Sequence, residues 1–147
     1  GVSFKLKEPE APIKAMLDAI QIEHALLNII MNAGEAMPNG GSLKVTVEKV
    51  LSTPDEPIFA PGDAVSGKQI HREYVEISVS DTGTGMTDAE KDQIFEPFFT
   101  MKERKSNSGL GMSVVYAIIT RHNGLVIVDS TPGTGTTCRI LLPLTED

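Results

Sequence analysis

The chain has 147 residues, of which 40% are hydrophobic and 22% charged, and its net charge at pH 7 is −7. This length is typical of one domain, and this hydrophobic content is sufficient to bury a core. An acidic chain without a basic face is a poor match to a phosphate backbone, so the composition argues against nucleic-acid binding.

A single cysteine, Cys138, lies in an apolar alternating segment. One cysteine excludes a disulfide framework, and its position predicts a buried side chain rather than a nucleophile. No apolar run approaches the roughly 20 residues that a bilayer requires, and no signal peptide opens the chain. We therefore predict a cytoplasmic domain without membrane contact of its own, which is compatible with a membrane-anchored parent protein.

The first predicted elements are a strand and a long helix. Residues 2–7 alternate between apolar and polar side chains, as a half-buried strand does. Asp18 and Gln21 have capping-box spacing, which predicts a helix N-terminus. The apolar residues of 19–37 recur at helical spacing, and the Pro-Asn-Gly-Gly sequence at 38–41 ends the helix.

The middle of the chain predicts two strands with a long connection. The strands are residues 43–50 and 74–81. The intervening segment 51–72 holds three prolines and two glycines and is predicted to be a mobile hairpin connection. Thr87 and Glu90 have capping-box spacing and predict a short helix. Residues 100–109 are polar and basic and contain serine and glycine, which predicts a flexible loop.

The last elements are a helix at 110–122, ended by Asn123-Gly124, and two strands at 125–130 and 136–144. Strands come mostly in adjacent pairs rather than alternating with helices. We therefore predict one α+β domain over residues 1–147. It is a two-layer sandwich, with a mixed, mostly antiparallel sheet of about five strands covered on one face by about three helices.

Polar side chains recur on one stripe of the long helix. Asn28, Asn32 and Glu35 lie at positions i, i+4 and i+7. Carboxamide oxygens are hard ligands that suit Mg²⁺, which takes few protein ligands together with phosphate and water. On its own, the stripe is also explained by an ordinary solvated helix face.

Three glycine-rich segments follow along the chain. The first, Asp81-Thr82-Gly83-Thr84-Gly85-Met86, comes directly after a strand and favours a ligand that passes close to the backbone. The second, Gly109-Leu110-Gly111-Met112, precedes a helix, whose free N–H groups can bind an anion. The third, Gly133-Thr134-Gly135-Thr136, joins two strands. Taken singly, they are also explained by an Asp-Gly turn, a flexible helix start and a hairpin turn.

Taken in order, these segments resemble the ATPase fold shared by sensor histidine kinases, gyrase and MutL. Residues 28–33 are similar to the N box of that family, and the three glycine-rich segments are similar to its three glycine boxes. Phe95-Glu96-Pro97-Phe98-Phe99-Thr100 resembles the F box, which points to histidine kinases rather than to gyrase or MutL. The resemblance extends from about residue 10 to Leu144.

The resemblance implies an adenine pocket. Asp81 would accept a hydrogen bond from the exocyclic amine of adenine, and Thr136 would contact the same edge through water. Such a carboxylate discriminates against guanine, which offers an acceptor at that place. The apolar walls and the adjacent backbone would come from Ala33, Gly83, Gly85, Met86, Leu110 and Met112.

The resemblance also implies the phosphate end of the site. Asn32 would be the Mg²⁺ ligand, with Asn28 in a supporting catalytic role. Gly109 and Gly111 would let a flexible ATP lid approach the phosphates, and Lys102 would reach the terminal phosphate. Glu35 stands where several relatives carry a cationic phosphate contact, so no direct phosphate contact is predicted for it.

The implied function is that of the catalytic domain of a sensor histidine kinase in a two-component phosphorelay. It would bind Mg-ATP and phosphorylate a histidine on a separate helical phosphoacceptor domain, with a response regulator acting downstream. None of His24, His71 and His122 has the sequence context of a phosphoacceptor. The alternative is an ATPase or nucleotide-sensing module of the same fold without histidine kinase activity.

Overall fold

The computed structural model describes residues 2–7, 18–52, 64–66, 72–95 and 111–144. Within these residues there are six strands and three helices. The elements in chain order are β1 Val2–Lys7, α1 Ala19–Glu35, β2 Gly41–Ser52, β3 Ala64–Ser66, β4 Arg72–Asp81, α2 Asp88–Gln93, α3 Gly111–Arg121, β5 Leu125–Thr131 and β6 Gly135–Pro143.

All six strands belong to one sheet in the order β1-β2-β4-β6-β5-β3. β1 pairs in parallel with β2, and the other four neighbouring pairs are antiparallel. The predicted α+β class with a mixed, mostly antiparallel sheet is confirmed.

The sheet has one strand more than the sequence indicated. The additional strand, β3, lies within 51–72 and pairs with β5 at the edge of the sheet. Three residues are too few to show strand periodicity, so the sequence pattern predicted a connection without a strand there. The other positions of this connection, 53–63 and 67–71, lie outside the described residues.

The helix ends follow the predicted caps. The Asp18 carboxylate accepts hydrogen bonds from the backbone N–H groups of Ile20 and Gln21. The Asp18 backbone N–H donates to Nε2 of His122 at 3.0 Å, the contact that Gln21 would supply in a full capping box. α2 has the complete capping box of Thr87 and Glu90.

The C-terminal end of α3 closes as the sequence indicated. Asn123 has a φ of 60°, and its N–H donates to the carbonyl of Thr120. The N–H of Gly124 donates to the carbonyl of Ile119 at 2.9 Å. Together these two bonds form a Schellman motif, which satisfies the last helix carbonyls and turns the chain into β5.

The main core lies between the sheet and the helices. α1 contributes Ile29 and Ala33, and α3 contributes Val115 and Ile119, all buried. They belong to one cluster with the sheet residues that point to the same face, among them Val79, Val126, Cys138 and Ile140. Among the described helices, none combines the length and hydropathy that a membrane span requires.

A smaller cluster consists of strand residues one position out of phase with the main core. Tyr74, Leu125, Ile127 and Leu141 are completely buried there. Successive strand residues point to opposite faces, so this cluster lies on the other face of the sheet. On that face Arg139 Nη1 lies 3.4 Å from Glu76 Oε2, and Glu76 is only 7% exposed.

The Glu76 carboxyl predicts a dependence of stability on pH. Burial raises its pKa, Arg139 acts in the opposite direction, and the charge of Glu48 adds to the rise. The folded chain therefore favours the protonated form of the Glu76 carboxyl. The contribution of this group to the free energy of unfolding is complete below its unfolded-state pKa and is lost as the pH rises through its folded-state pKa. We expect Glu76→Gln to gain stability relative to the native chain as the pH rises from about 4 through the folded-state pKa of Glu76, measured by thermal unfolding.

Glu23→Gln is the matched control, because Glu23 is exposed on α1. Its stability difference from the native chain should change less over the same pH range. A Glu76→Gln variant whose stability relative to the native chain does not rise with pH would contradict this interpretation.

Candidate nucleotide-binding site

A pocket opens between α1, the start of α3 and the helix-covered face of the sheet. It has about 390 Å³ of empty volume, part of it open to solvent. The lining residues are Ile29, Asn32, Ala33, Val79, Asp81, Met86, Ile94, Met112, Val128, Thr136 and Cys138. Eight of these eleven residues are apolar, and the other three are Asn32, Asp81 and Thr136. A pocket of this kind can hold a flat apolar ring and orient it by a few polar contacts.

Asp81 is held at the end of β4 by backbone donors. Its Oδ1 accepts hydrogen bonds from the N–H of Gly83 at 2.9 Å and from the N–H of Thr136 at 3.2 Å. Asp81 and Thr136 are also paired across the β4–β6 ladder. The strand pairing and the two hydrogen bonds therefore fix the carboxylate next to Thr136.

The two glycines of the first glycine-rich segment pack against other backbone rather than lining the pocket. A Cβ on Gly83 would lie 2.4 Å from the carbonyl oxygen of Ala36, at the end of α1. Gly85 has a φ of +69°, and a Cβ there would lie 2.1 Å from the carbonyl oxygen of Thr131. Glycine is required at both positions because the chain segments touch. The structure places both residues beside the pocket but not in its lining.

A hydrogen-bonded group connects Met86 and Thr136. Ser130, near the end of β5, has its Oγ 2.8 Å from the N–H of Met86 and 2.7 Å from Oγ1 of Thr136. It also lies 3.1 Å from the carbonyl oxygen of Gly135. Ser130 lies outside the segments singled out in the sequence, although it contacts two residues of the pocket.

The two asparagines of the α1 stripe have different environments. Asn32 lines the pocket, and a Cβ on Gly111 would lie 3.0 Å from its Nδ2. Gly111 at the start of α3 therefore leaves room for the Asn32 carboxamide. Asn28 does not line the pocket, and its Nδ2 donates to the carbonyl of His24 in its own helix at 3.1 Å.

The donor set fits a hydrated Mg²⁺ rather than a metal enclosed by protein ligands. Among the described residues, no group of three His, Cys, Asp or Glu side chains is placed to hold a metal ion. The carboxamide of Asn32 is a ligand type that Mg²⁺ accepts alongside phosphate and water. One turn later, Glu35 Oε2 is buried and has no hydrogen-bond partner among the described residues, and Glu35 does not line the pocket.

Residues 17–146 match the family described as histidine kinase-, DNA gyrase B- and HSP90-like ATPases. The chain belongs to this family. It is 37% identical over 138 residues to sensor kinase CckA of Brucella abortus, and the match covers 90% of this chain and 13% of CckA. It is 35% identical to sporulation kinase E of Bacillus subtilis, covering 86% of this chain and 14% of that kinase.

Solved structures of histidine kinases have the same fold as this ATPase domain. The mycobacterial sensor histidine kinase MprB matches with a TM-score of 0.71 and 25% identity, covering 99% of this chain and 84% of that chain. The catalytic domain of the histidine kinase ThkA matches with a TM-score of 0.70, covering 99% and 82%. The family resemblance predicted from the motifs is confirmed, and ATP is the ligand that this family implies.

The pocket contains six of the residues predicted from the motifs. They are Asn32, Ala33, Asp81, Met86, Met112 and Thr136. Gly111 lies beside the Asn32 carboxamide, but Gly111, Asn28, Gly83 and Gly85 are not in the lining. The predicted contacts of Lys102, Gly109 and Leu110, the predicted lid at 100–109 and F-box residues 96–100 lie outside the described residues.

Five lining residues were not predicted to be site residues: Ile29, Val79, Ile94, Val128 and Cys138. Strand periodicity contains the signal for two of them. Val79 lies two residues before Asp81, and Cys138 lies two residues after Thr136, so each shares a sheet face with a predicted site residue.

The predicted burial of Cys138 is also confirmed, since the residue is 5% exposed. Its burial, together with the negative charge of Asp81, raises the pKa of the thiol to about 12. The thiol is therefore a neutral part of the pocket wall at physiological pH.

Proposed function

We propose that this domain binds Mg-ATP and transfers the γ-phosphoryl group to a histidine on a separate helical phosphoacceptor domain of its parent kinase. The main supporting observation is the Asp81 carboxylate, held by two backbone N–H groups within an otherwise apolar pocket. The chain spans only 13% and 14% of the length of its relatives CckA and sporulation kinase E. The activity and partners of the whole protein are therefore part of the proposal.

The base would lie between apolar side chains from both layers. Ala33 of α1 and Met86 are buried and line the pocket. The exocyclic amine of adenine would donate to Asp81. Guanine has a carbonyl at that position, and two acceptors facing each other in a desolvated pocket would exclude it.

The phosphates would extend past Asn32 toward the start of α3. Asn32 would hold Mg²⁺, which supplies charge neutralisation at the phosphates when bound. The positive end of the helix dipole at the beginning of the 11-residue helix α3 favours an anion. Phosphoryl transfer needs chiefly such positioning and charge stabilisation from the protein. By resemblance, Asn28 would act in support, Lys102 would contact the terminal phosphate, and Gly109 and Leu110 would belong to the lid.

His122 supports a phosphoacceptor outside this domain. Its Nε2 accepts a hydrogen bond from the Asp18 N–H, and its Nδ1 lies 2.8 Å from the carbonyl oxygen of Ile118. Both ring nitrogens are therefore engaged, which leaves neither free to attack a phosphate. His24 is exposed on α1, and its sequence context does not match a phosphoacceptor. We propose that the response regulator acts downstream of the phosphoacceptor domain. We also propose that the ATP-binding domain itself functions in the cytoplasm.

The proposal is tested by following labelled phosphate. Incubate the chain with Mg²⁺ and γ-labelled ATP, alone and together with the helical phosphoacceptor domain of the parent kinase. We expect no label on the chain alone and slow labelling of the added domain. The transfer is slow because a bimolecular encounter replaces the high effective concentration of a tethered domain. The label should be acid-labile and base-stable, as phosphohistidine is.

Two results would contradict the proposal. Stable label on His24, His71 or His122 of the lone chain would place the phosphoacceptor inside this domain. ATP binding without any transfer to the added domain would favour the nucleotide-sensing alternative. Asp81→Asn is the matched control, because it should reduce labelling through loss of ATP binding.

A further inference from the structure

Ser130 makes three close polar contacts behind the wall of the pocket. Its Oγ lies 2.8 Å from Met86 N, 3.1 Å from the Gly135 carbonyl oxygen and 2.7 Å from Thr136 Oγ1. Ser130 is only 7% exposed, so bulk water does not substitute for these partners. Met86 and Thr136 line the pocket.

The chemistry of the partners determines where the hydrogens lie. A serine hydroxyl has one hydrogen and two lone pairs. The Met86 N–H can only donate, so it occupies one lone pair of Ser130. The Gly135 carbonyl can only accept, so it takes the Ser130 hydrogen. The second lone pair of Ser130 then accepts from the Thr136 hydroxyl, and this is the one arrangement in which all three contacts are hydrogen bonds.

We propose that Ser130 is a positioning residue that fixes the Thr136 hydroxyl as an acceptor and so selects the base. In this arrangement Thr136 has given its hydrogen to Ser130 and presents only lone pairs to a ligand. The ionised Asp81 also presents only lone pairs. Both polar side chains at this end of the pocket therefore accept hydrogen bonds. This inference rests on the proposed ATP site and adds a structural reason why that site would select adenine.

The fixed acceptors match the hydrogen-bonding groups of adenine. Adenine carries an amino group at C6 and an unprotonated N1, whereas hypoxanthine and guanine carry a carbonyl at C6 and a hydrogen on N1. A water between Thr136 and the base can serve either base, because it can both donate and accept. The selection therefore acts through direct contact. A fixed Thr136 acceptor accepts from a C6 amino group and repels a C6 carbonyl, whereas a rotating Thr136 hydroxyl would be able to donate to that carbonyl.

The test compares two nucleotides that differ at this edge. Dissociation constants of the full 147-residue chain for ATP and for inosine triphosphate are measured by calorimetry with Mg²⁺. In Ser130→Ala the Thr136 hydroxyl is free to turn, so the preference for ATP over inosine triphosphate should fall by about three- to tenfold, the contribution of about one neutral hydrogen bond. A merely structural role would weaken both nucleotides by the same factor. An unchanged preference in a folded variant would therefore overturn the inference.

Thr136→Val tests whether Ser130 acts through Thr136. This variant should show a similar fall in preference, and adding Ser130→Ala to it should change the preference no further. A further fall of the same size in the double variant would overturn the proposed route. If Ser130→Ala does not fold, Ser130→Cys replaces it, because a thiol is close in size and bonds weakly.

The same measurements separate the inference from the proposed function. A native chain that binds neither nucleotide contradicts the proposed function. A native chain that prefers ATP, with the same preference in the Ser130 variants, contradicts the inference alone.

Discussion

Replacement of Asp81 by asparagine is expected to weaken ATP binding by at least about tenfold while the domain remains folded. In the native chain, the backbone N–H groups of Gly83 and Thr136 both donate to Oδ1 of Asp81. In the variant, the single side-chain oxygen of asparagine would have to accept both of these hydrogen bonds. The amide nitrogen then takes the place of Oδ2 and presents donors instead of an acceptor. The adenine amine would face another donor, and the negative charge would be lost.

Calorimetric titration with ATP measures this loss, and a thermal unfolding curve shows whether the variant is folded. Asp129→Asn is the matched control, because Asp129 is exposed on β5 and the substitution removes the same charge. Native affinity in a folded Asp81→Asn variant would contradict the assignment of Asp81 as the adenine contact.

Asn32→Ala is expected to weaken ATP binding by at least about tenfold in the presence of Mg²⁺. When the metal is chelated, the same substitution should weaken ATP binding by a smaller factor. Asn32 is the described carboxamide that lines the pocket, and Gly111 leaves space beside it. Asn28→Ala should have a smaller effect than Asn32→Ala, since the Asn28 side chain bonds to its own helix outside the pocket. Calorimetry with and without a chelator measures the difference.

Asn39→Ala is the control for the loss of a carboxamide, because Asn39 is exposed in the turn after α1. Equal losses with and without Mg²⁺ in Asn32→Ala would show that Asn32 contacts the nucleotide without holding the metal.

Much of the fold was predictable because its signals are local. Asp18 and Thr87 start helices where the capping spacing placed them, and Asn123 ends α3. Each of these signals is carried by a few consecutive residues, as caps and turns are. β3 gives no such signal, because three residues carry no period and the strand is defined by its partner β5.

The pocket was predictable where a motif or a strand face identified it. Ser130 was not, because its role depends on contacts that no motif indicates. Gly135 and Thr136 lie across the β5–β6 turn, and Met86 comes from a distant part of the chain. The predicted close approach of a ligand to Gly83 and Gly85 is a similar case. Both glycines do meet a close neighbour, but the neighbours in the structure are the carbonyls of Ala36 and Thr131.

These backbone contacts also have a consequence for folding. Thr84 N donates to the carbonyl of Ala36, and Gly133 N donates to the carbonyl of Thr84, so distant parts of the chain meet beside the pocket. Contacts at such sequence separation form only after long loops have closed, which makes them late and cooperative. No fragment that ends before β6 contains the whole pocket. Occupancy by nucleotide therefore reports the population of fully folded molecules, and added ATP should raise the unfolding temperature of the domain as a whole.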